Sequence, residues 1–297
     1  MSEITRDVER NNEGRVIRGF LKEEMGLSTR FIRAAAKEGR IKVGGARVKM
    51  DYTLKAGDHI TVILTKDESQ DIAPEDIPLD IAFENESVLV VNKPPFMVCH
   101  PTRSHGSGTL ANGVINYFQN REDASIVRLV SRLDMNTSGL VTIAKNQYVH
   151  MSLSKAMTEG SFKKKYLALV KGRPMEDEGT IDLPIYRPTE DSIKRVVDER
   201  GQRSITHYKV LESSGIITLL ELILETGRTH QIRVHLSHIG HPILGDTLYG
   251  QEDSELIGRQ ALHAYYVEFP DPKTSQLITI TSELPEDMHL IARGLSS

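Results

Sequence analysis

Ser131-Arg132-Leu133-Asp134-Met135-Asn136-Thr137-Ser138-Gly139-Leu140 runs directly into Val141-Thr142-Ile143-Ala144. Asp, Asn, Thr, Ser and Gly before an uninterrupted apolar run describe a turn that feeds a buried strand, Leu140 to Ala144. Working outward, Val88-Leu89-Val90-Val91 forms a strand and Leu110 to Tyr117 a helix on the N-terminal side. On the C-terminal side Gln147 to Met157 has helical spacing and Phe162 to Val170 reads as a strand. Further strands fall near 193–198, 205–211, 216–224 and 277–281. Hairpin-like neighbours outnumber crossovers, which predicts an α+β fold with a mixed, largely antiparallel sheet and flanking helices.

The chain has 297 residues, one cysteine (Cys99), a hydrophobic fraction of 39% and a net charge of −4. That length allows a sizeable core, and no apolar run is long enough to span a bilayer. The charged start, MSEITRDVERNNEG, has no apolar stretch fit for a signal peptide, and a lone cysteine makes no internal disulfide. A reducing, cytoplasmic setting and a monomer are the expectations. The charge is unevenly spread. Arg15 to Lys49 holds ten Lys/Arg against three Asp/Glu, a local +7 that leaves −11 for the rest. Polyanion binding follows local potential rather than the total, although a solvated basic face reads the same way.

That basic segment lies in a first domain assigned to 1–65, joined by an acidic, proline-bearing linker (66–78) to a second domain at 79–297. Val16, Ile17, Phe20, Leu21 and Met25 recur at helical spacing, and Gly26 ends that helix. Ser28 is suited to cap a second helix, Thr29 to Lys37, with Gly39 past its end. Ile41-Lys42-Val43, Gly44-Gly45 and Ala46-Arg47-Val48 have the form of a two-residue hairpin, and His59 to Leu64 supplies a last strand. Arg30, Arg33, Lys37 and Arg40 make a stripe suited to phosphates along the second helix and the turn after it. The order L-S-T-R-F-I-R…E-G-R-I-K-V-G-G…L-K-A-G-D-H-I-T-V resembles the small α/β RNA-binding module named after ribosomal protein S-four.

Three motifs in the second domain carry chemistry. Besides 131–140 there are Glu225-Thr226-Gly227-Arg228-Thr229-His230-Gln231-Ile232-Arg233-Val234-His235-Leu236 and Phe162-Lys163-Lys164-Lys165-Tyr166-Leu167-Ala168-Leu169-Val170. Thr229 is placed to cap a helix whose face carries Ile232, Leu236 and Ile239, with Arg233 off that face and Gly240 at its end. Tyr166, Ala168 and Val170 share one face of a strand. On residue type alone these pieces also read as a turn, a surface ion pair and a core tyrosine. His230, His235, His238 and His241 match no zinc spacing, and no glycine-rich phosphate loop is present, so neither metal nor cofactor is expected.

The exact order weighs against the bland readings. R-L-D-x-x-T-S-G-L, K-K-x-Y-x-A-x-V and G-R-T-H-Q-I-R-V-H-L followed by G-H-P-I-L-G-D-x-x-Y resemble the RluA family of pseudouridine synthases, which act on uridines of ribosomal or transfer RNA. Val88 to Pro95 with His100-Pro101, and Arg259 to Ala264, extend the resemblance from about 81 to 284. One departure is Ser131, where the family usually has His. The resemblance implies the pseudouridine synthase fold and isomerisation of uridine with Asp134 as nucleophile. Attack on the anomeric carbon and assistance of proton removal from the ribose both remain open. Arg233 is implied to hold Asp134 through a bidentate pair, Tyr166 to stack on the extruded uracil and take a proton, and Arg132 to fill the vacated space. Lys163, Lys165 and Arg228 would meet RNA phosphates. Ribosomal RNA of the large subunit is favoured over transfer RNA as partner, because the accessory module accompanies such enzymes. A non-catalytic RNA-binding or ribosome-assembly factor and a nucleoside or glycoside hydrolase are the competing readings. The hydrolase would need a second carboxylate or a metal, and no motif ties a second carboxylate to Asp134.

Overall fold

The computed structural model describes residues 3–64, 70–102, 104–250 and 256–295. The N-terminal part builds a four-stranded antiparallel sheet in the order β1-β4-β2-β3 from β1 (Glu3–Asp7), β2 (Ile41–Val43), β3 (Ala46–Arg47) and β4 (His59–Ile63). Two helices cover it, α1 (Ile17–Glu23) and α2 (Thr29–Lys37). Ser28 caps α2, its hydroxyl accepting from the Phe31 amide at 3.1 Å. Gly44 and Gly45 both have positive φ, as the two-residue hairpin requires. Ile17, Phe20, Leu21, Phe31, Ile32, Leu54, Ile60 and Val62 form this part's own core. Strand β1, which no periodicity announced, pairs with β4 along its whole length.

Part of the expected linker, 66–69, lies outside the described residues. The remainder is not a free tether. Ile72 is buried in the apolar cluster with Leu110 and Val114, and Gln70 pairs with the Val127 backbone. Asn112 donates to the Ala73 carbonyl, and Glu75 accepts from the Gly108 amide. One apolar side chain with satisfied polar neighbours is enough to lay 70–75 against the larger part.

The larger sheet is mixed and largely antiparallel. Its members are β5 (Ile81–Glu84), β6 (Val88–Lys93), β7 (Arg128–Leu129), β8 (Ser138–Ala144), β9 (Lys163–Lys171), β10 (Glu178–Asp182), β13 (Ile205–Ser213), β14 (Ile217–Leu224), β15 (Leu262–Pro270) and β16 (Leu277–Thr281). A separate two-stranded hairpin holds β11 (Ile185–Tyr186) and β12 (Val196–Val197). The main path runs β10-β13-β14-β9-β15-β8-β6-β5, and among the described residues only β15 and β8 pair in parallel. Helices α3 (Leu110–Asn120), α4 (Gln147–Thr158), α5 (Gln231–His238) and α6 (Glu286–Arg293) flank it. Strand β8 is buried at every position, and the period of two explains how. Val141 and Ile143, with Leu89 and Val91 of β6, face α3; Leu140 and Ala144, with Val88 and Val90, face α4.

Strands β8 and β9 are linked through α4 yet do not pair, because β15 lies between them. Gly139 makes the β8–β15 approach possible. Its φ is 117°, and a Cβ there would stand 2.3 Å from the Ala264 carbonyl oxygen. The turn at 131–137 is thereby delivered to the seam between the two halves of the sheet, beside β9 and α5.

Candidate active site

Helix α5 buries Ile232 and Leu236 in the core between the sheet and the C-terminal segment. Thr229 does not cap it. His230 takes the N-cap position in a left-handed conformation (φ 59°) without a side-chain cap. The Gln231 side chain instead accepts from the Arg228 amide at 3.0 Å and the Thr226 hydroxyl at 2.9 Å, closing the loop one step later than expected.

This start turns Arg233 inward. The guanidinium is buried and uses three nitrogens on two carboxylates. Nε and Nη2 grip Asp246 at 2.7 and 2.9 Å, and Nη1 reaches Asp134 Oδ2 at 2.9 Å. The expected bidentate pair with Asp134 is therefore corrected: the fork belongs to Asp246, and Asp134 receives a single arm. Asp246 is fully buried, and its Oδ1 also accepts from the Leu248 and Tyr249 amides. Burial alone would pull the Arg233 pKa down, but the two carboxylates outweigh it and leave it raised. Asp246, in the G-D-x-x-Y stretch, is thus a second carboxylate at the site, joined to Asp134 through Arg233 rather than by motif spacing.

His230 stands above the same carboxylate, with Nε2 3.8 Å from Asp134 Oδ2. Its pKa is lowered, first by burial and then by Arg233 and Arg195, against the opposing pull of Asp134. The Tyr249 hydroxyl accepts from the Arg195 amide at 2.7 Å, so its own hydrogen can go to His230 Nδ1, 2.9 Å away. A neutral imidazole then turns its Nε2–H toward Asp134.

A second loop braces the turn from behind. Lys93 is completely buried, and its ammonium donates to the carbonyls of Pro94, Met97 and Met135 at 2.8, 2.9 and 3.0 Å. Burial lowers its pKa to about 8. Cys99 Sγ lies 3.3 Å from the Leu133 carbonyl oxygen and 3.4 Å from the Leu133 amide. The residues on either side of Asp134 are therefore tied to the 93–99 loop.

The resulting pocket is lined by Arg132, Leu133, Asp134, Thr137, Tyr166, Leu224, Arg228, His230, Ile232, Arg233 and Leu262, among others. Asp134, Tyr166 and Arg233 are brought together as expected, with Asp134 at 30% exposure on the open side. Arg132 and Arg228 are exposed at the mouth. Arg228 also borders a neighbouring groove of about 440 Å³, lined by Tyr186, Arg187, Arg195, Arg200 and Gln202 of the hairpin segment.

Other expected RNA contacts fall elsewhere. Lys163 and Lys165 alternate with Tyr166 on β9, so they project from the opposite sheet face. There they pair with Glu268 at 2.8 Å and Glu221 at 3.1 Å. Arg30, Arg33 and Lys37 are exposed on α2. Arg40 is not part of their stripe. It is buried, paired with Glu38 at 2.7 Å, bonded to the Ile63 carbonyl and stacked over Phe31. His235 is buried between Thr206 and the Leu183 carbonyl, which gives it a structural task. No group of three or more metal-binding side chains occurs among the described residues.

Comparison with known proteins gives a consistent answer. Residues 87–238 match the family model described as RNA pseudouridylate synthase. The uncharacterized RNA pseudouridine synthase YjbO of Bacillus subtilis is 42% identical over 91% of this chain and 96% of its own length. The ribosomal large subunit pseudouridine synthase D of Nitrosomonas europaea is 36% identical over 86% of this chain and 76% of its own. The solved structure of human RNA Pseudouridylate Synthase Domain Containing 4 shares the fold, with a TM-score of 0.60 at 24% identity over 73% of this chain and 92% of that one. The chain belongs to the RNA pseudouridine synthase family.

Proposed function

We propose that Asp134 is the nucleophile of the uridine-to-pseudouridine isomerisation and that large-subunit ribosomal RNA is the substrate. The contact between Asp134 Oδ2 and Arg233 Nη1, 2.9 Å, at the floor of a pocket that also holds Tyr166, carries this reading. Among the described residues no hydrogen bond reaches Asp134 Oδ1, so that oxygen is left to attack. Its attack on the ribose anomeric carbon breaks the bond to uracil N1. The freed base, which carries the bonding pair on N1, turns; its carbon five displaces the carboxylate, the hydrogen on carbon five leaves as a proton, and N1 takes up a proton from solvent. Arg233, anchored on Asp246, holds the carboxylate in place through its Nη1 contact. The Tyr166 ring, largely buried and lining the pocket, suits stacking on the uracil and accepting that proton. Arg132 at the mouth suits filling the space of the extruded nucleotide.

The substrate assignment is supported by the likeness to the Nitrosomonas enzyme named for the ribosomal large subunit. The N-terminal part, with Arg30, Arg33 and Lys37 outward on a single helix face, serves in this reading as the S-four-like RNA-binding domain. A non-catalytic assembly factor would have no need of an anchored Arg–carboxylate pair in an open pocket. The test is release of tritium from carbon five of uridine in transcripts of large-subunit ribosomal RNA and of transfer RNA. Release from the ribosomal transcript alone is the expected result; release from transfer RNA alone would replace the substrate.

A further inference from the structure

A single exposed apolar side chain is ordinary on a protein surface. Phe96 is different in several ways at once. Of seven phenylalanines it is the only one exposed, at 59%. Its backbone is left-handed, φ 63°, a region that bulky residues rarely adopt and that glycine would occupy without strain. Met135, the residue after Asp134, is exposed at 40%. The two loops are tied together: the Met97 amide donates to the Met135 carbonyl at 3.2 Å, and Lys93 bridges the carbonyls of Met97 and Met135. Among the described residues, the other left-handed non-glycine residue near the pocket is His230, whose ring stands over Asp134. Strained positions that gain nothing from packing point to function.

We propose that Phe96 and Met135 form a base-stacking subsite at the rim of the Asp134 pocket, occupied by an unpaired base of the RNA substrate beside the target uridine. The occupant is a nucleobase because the platform continues a pocket in a family that acts on RNA. A phenylalanine ring and a thioether, carried on two loops tied together by their backbones, each offer a polarizable face to any base, so the subsite adds grip and register more than sequence choice. The inference rests on the Asp134 pocket receiving the uridine.

The test compares the full-length protein with Phe96→Gly and Phe96→Tyr. Each is titrated with dodecameric oligouridylate and with an abasic ribose-phosphate chain of equal length. Glycine suits the left-handed backbone, so the thermal midpoint of Phe96→Gly should not fall. Its affinity for oligouridylate should drop by about fivefold or more, the low end of what one stacked base contributes. Affinity for the abasic chain should not change, and Phe96→Tyr should bind both as wild type does. Equal binding of oligouridylate by wild type and Phe96→Gly overturns the subsite. So does an equal loss on both chains, or a wild type that does not distinguish them. Failure of the catalytic assignment would appear separately, as turnover by Asp134→Asn with this binding pattern intact.

Discussion

Asp246→Asn tests how the site is held. Asp246 is fully buried and accepts from Arg233 Nε and Nη2 and from the Leu248 and Tyr249 amides. An asparagine whose carbonyl replaces Oδ1 keeps the two amides and Nη2. Its amino group then faces Arg233 Nε, donor against donor, and the buried charge loses half its compensation. Removing one partner of a buried ion pair costs about 3–5 kcal/mol. Asp134 still answers part of the Arg233 charge, so about 3 kcal/mol is the expected loss. For a part of this size, that lowers the thermal midpoint by roughly 6–12 °C. Arg233, freed of its brace, also places Asp134 less well, and a displacement near 1 Å costs about 100-fold in rate. Calorimetry reads the first effect. Single-turnover isomerisation, measured well below the transition, reads the second without interference from unfolding. A midpoint within 2 °C of wild type together with unchanged turnover would refute the claim that Asp246 anchors the arginine that holds Asp134.

Two further outcomes follow from other parts of the structure. Burial holds Lys93 near pKa 8 against 10.5 in an unfolded chain, so between those values the unfolded state binds more protons and stability rises with pH, by at most about 3 kcal/mol. Urea denaturation from pH 8 to 10 should show that rise in wild type and a flatter profile in Lys93→Met; parallel profiles would contradict it. Replacing Arg30, Arg33 and Lys37 together with glutamine should weaken RNA binding and reduce the slope of log affinity against log salt by about 2. An unchanged slope would make the stripe only a solvated face.

The parts of the site that were legible share one property: each is a residue in an ordered motif whose type matches its task. Asp134, Arg233 and Tyr166 meet in one pocket, and α2 runs over the residues that Ser28 and Gly39 delimit. What escaped depends on contacts between distant segments. Asp246 and Lys93 acquire their tasks only through Arg233 and Met135, across 13 and 42 positions. Arg40 looked like its neighbours on α2, but the turn after the helix folds it back onto Phe31 and β4. Lys163 and Lys165, expected to meet RNA phosphates, stand on the face of β9 opposite Tyr166, as the period of two requires, and pair there with Glu268 and Glu221. Strand β15, of which the sequence motifs reach only as far as Ala264, inserts between β8 and β9, an order that rests on Gly139 admitting the Ala264 backbone.

The most direct measurement is single-turnover tritium release from carbon five of uridine by the Asp134→Asn protein beside wild type. Folding and RNA affinity are checked on the same samples. The account predicts that the variant keeps its thermal transition, binds the RNA and releases no tritium above background. Release approaching the wild-type rate would remove Asp134 from the chemistry and with it the central assignment.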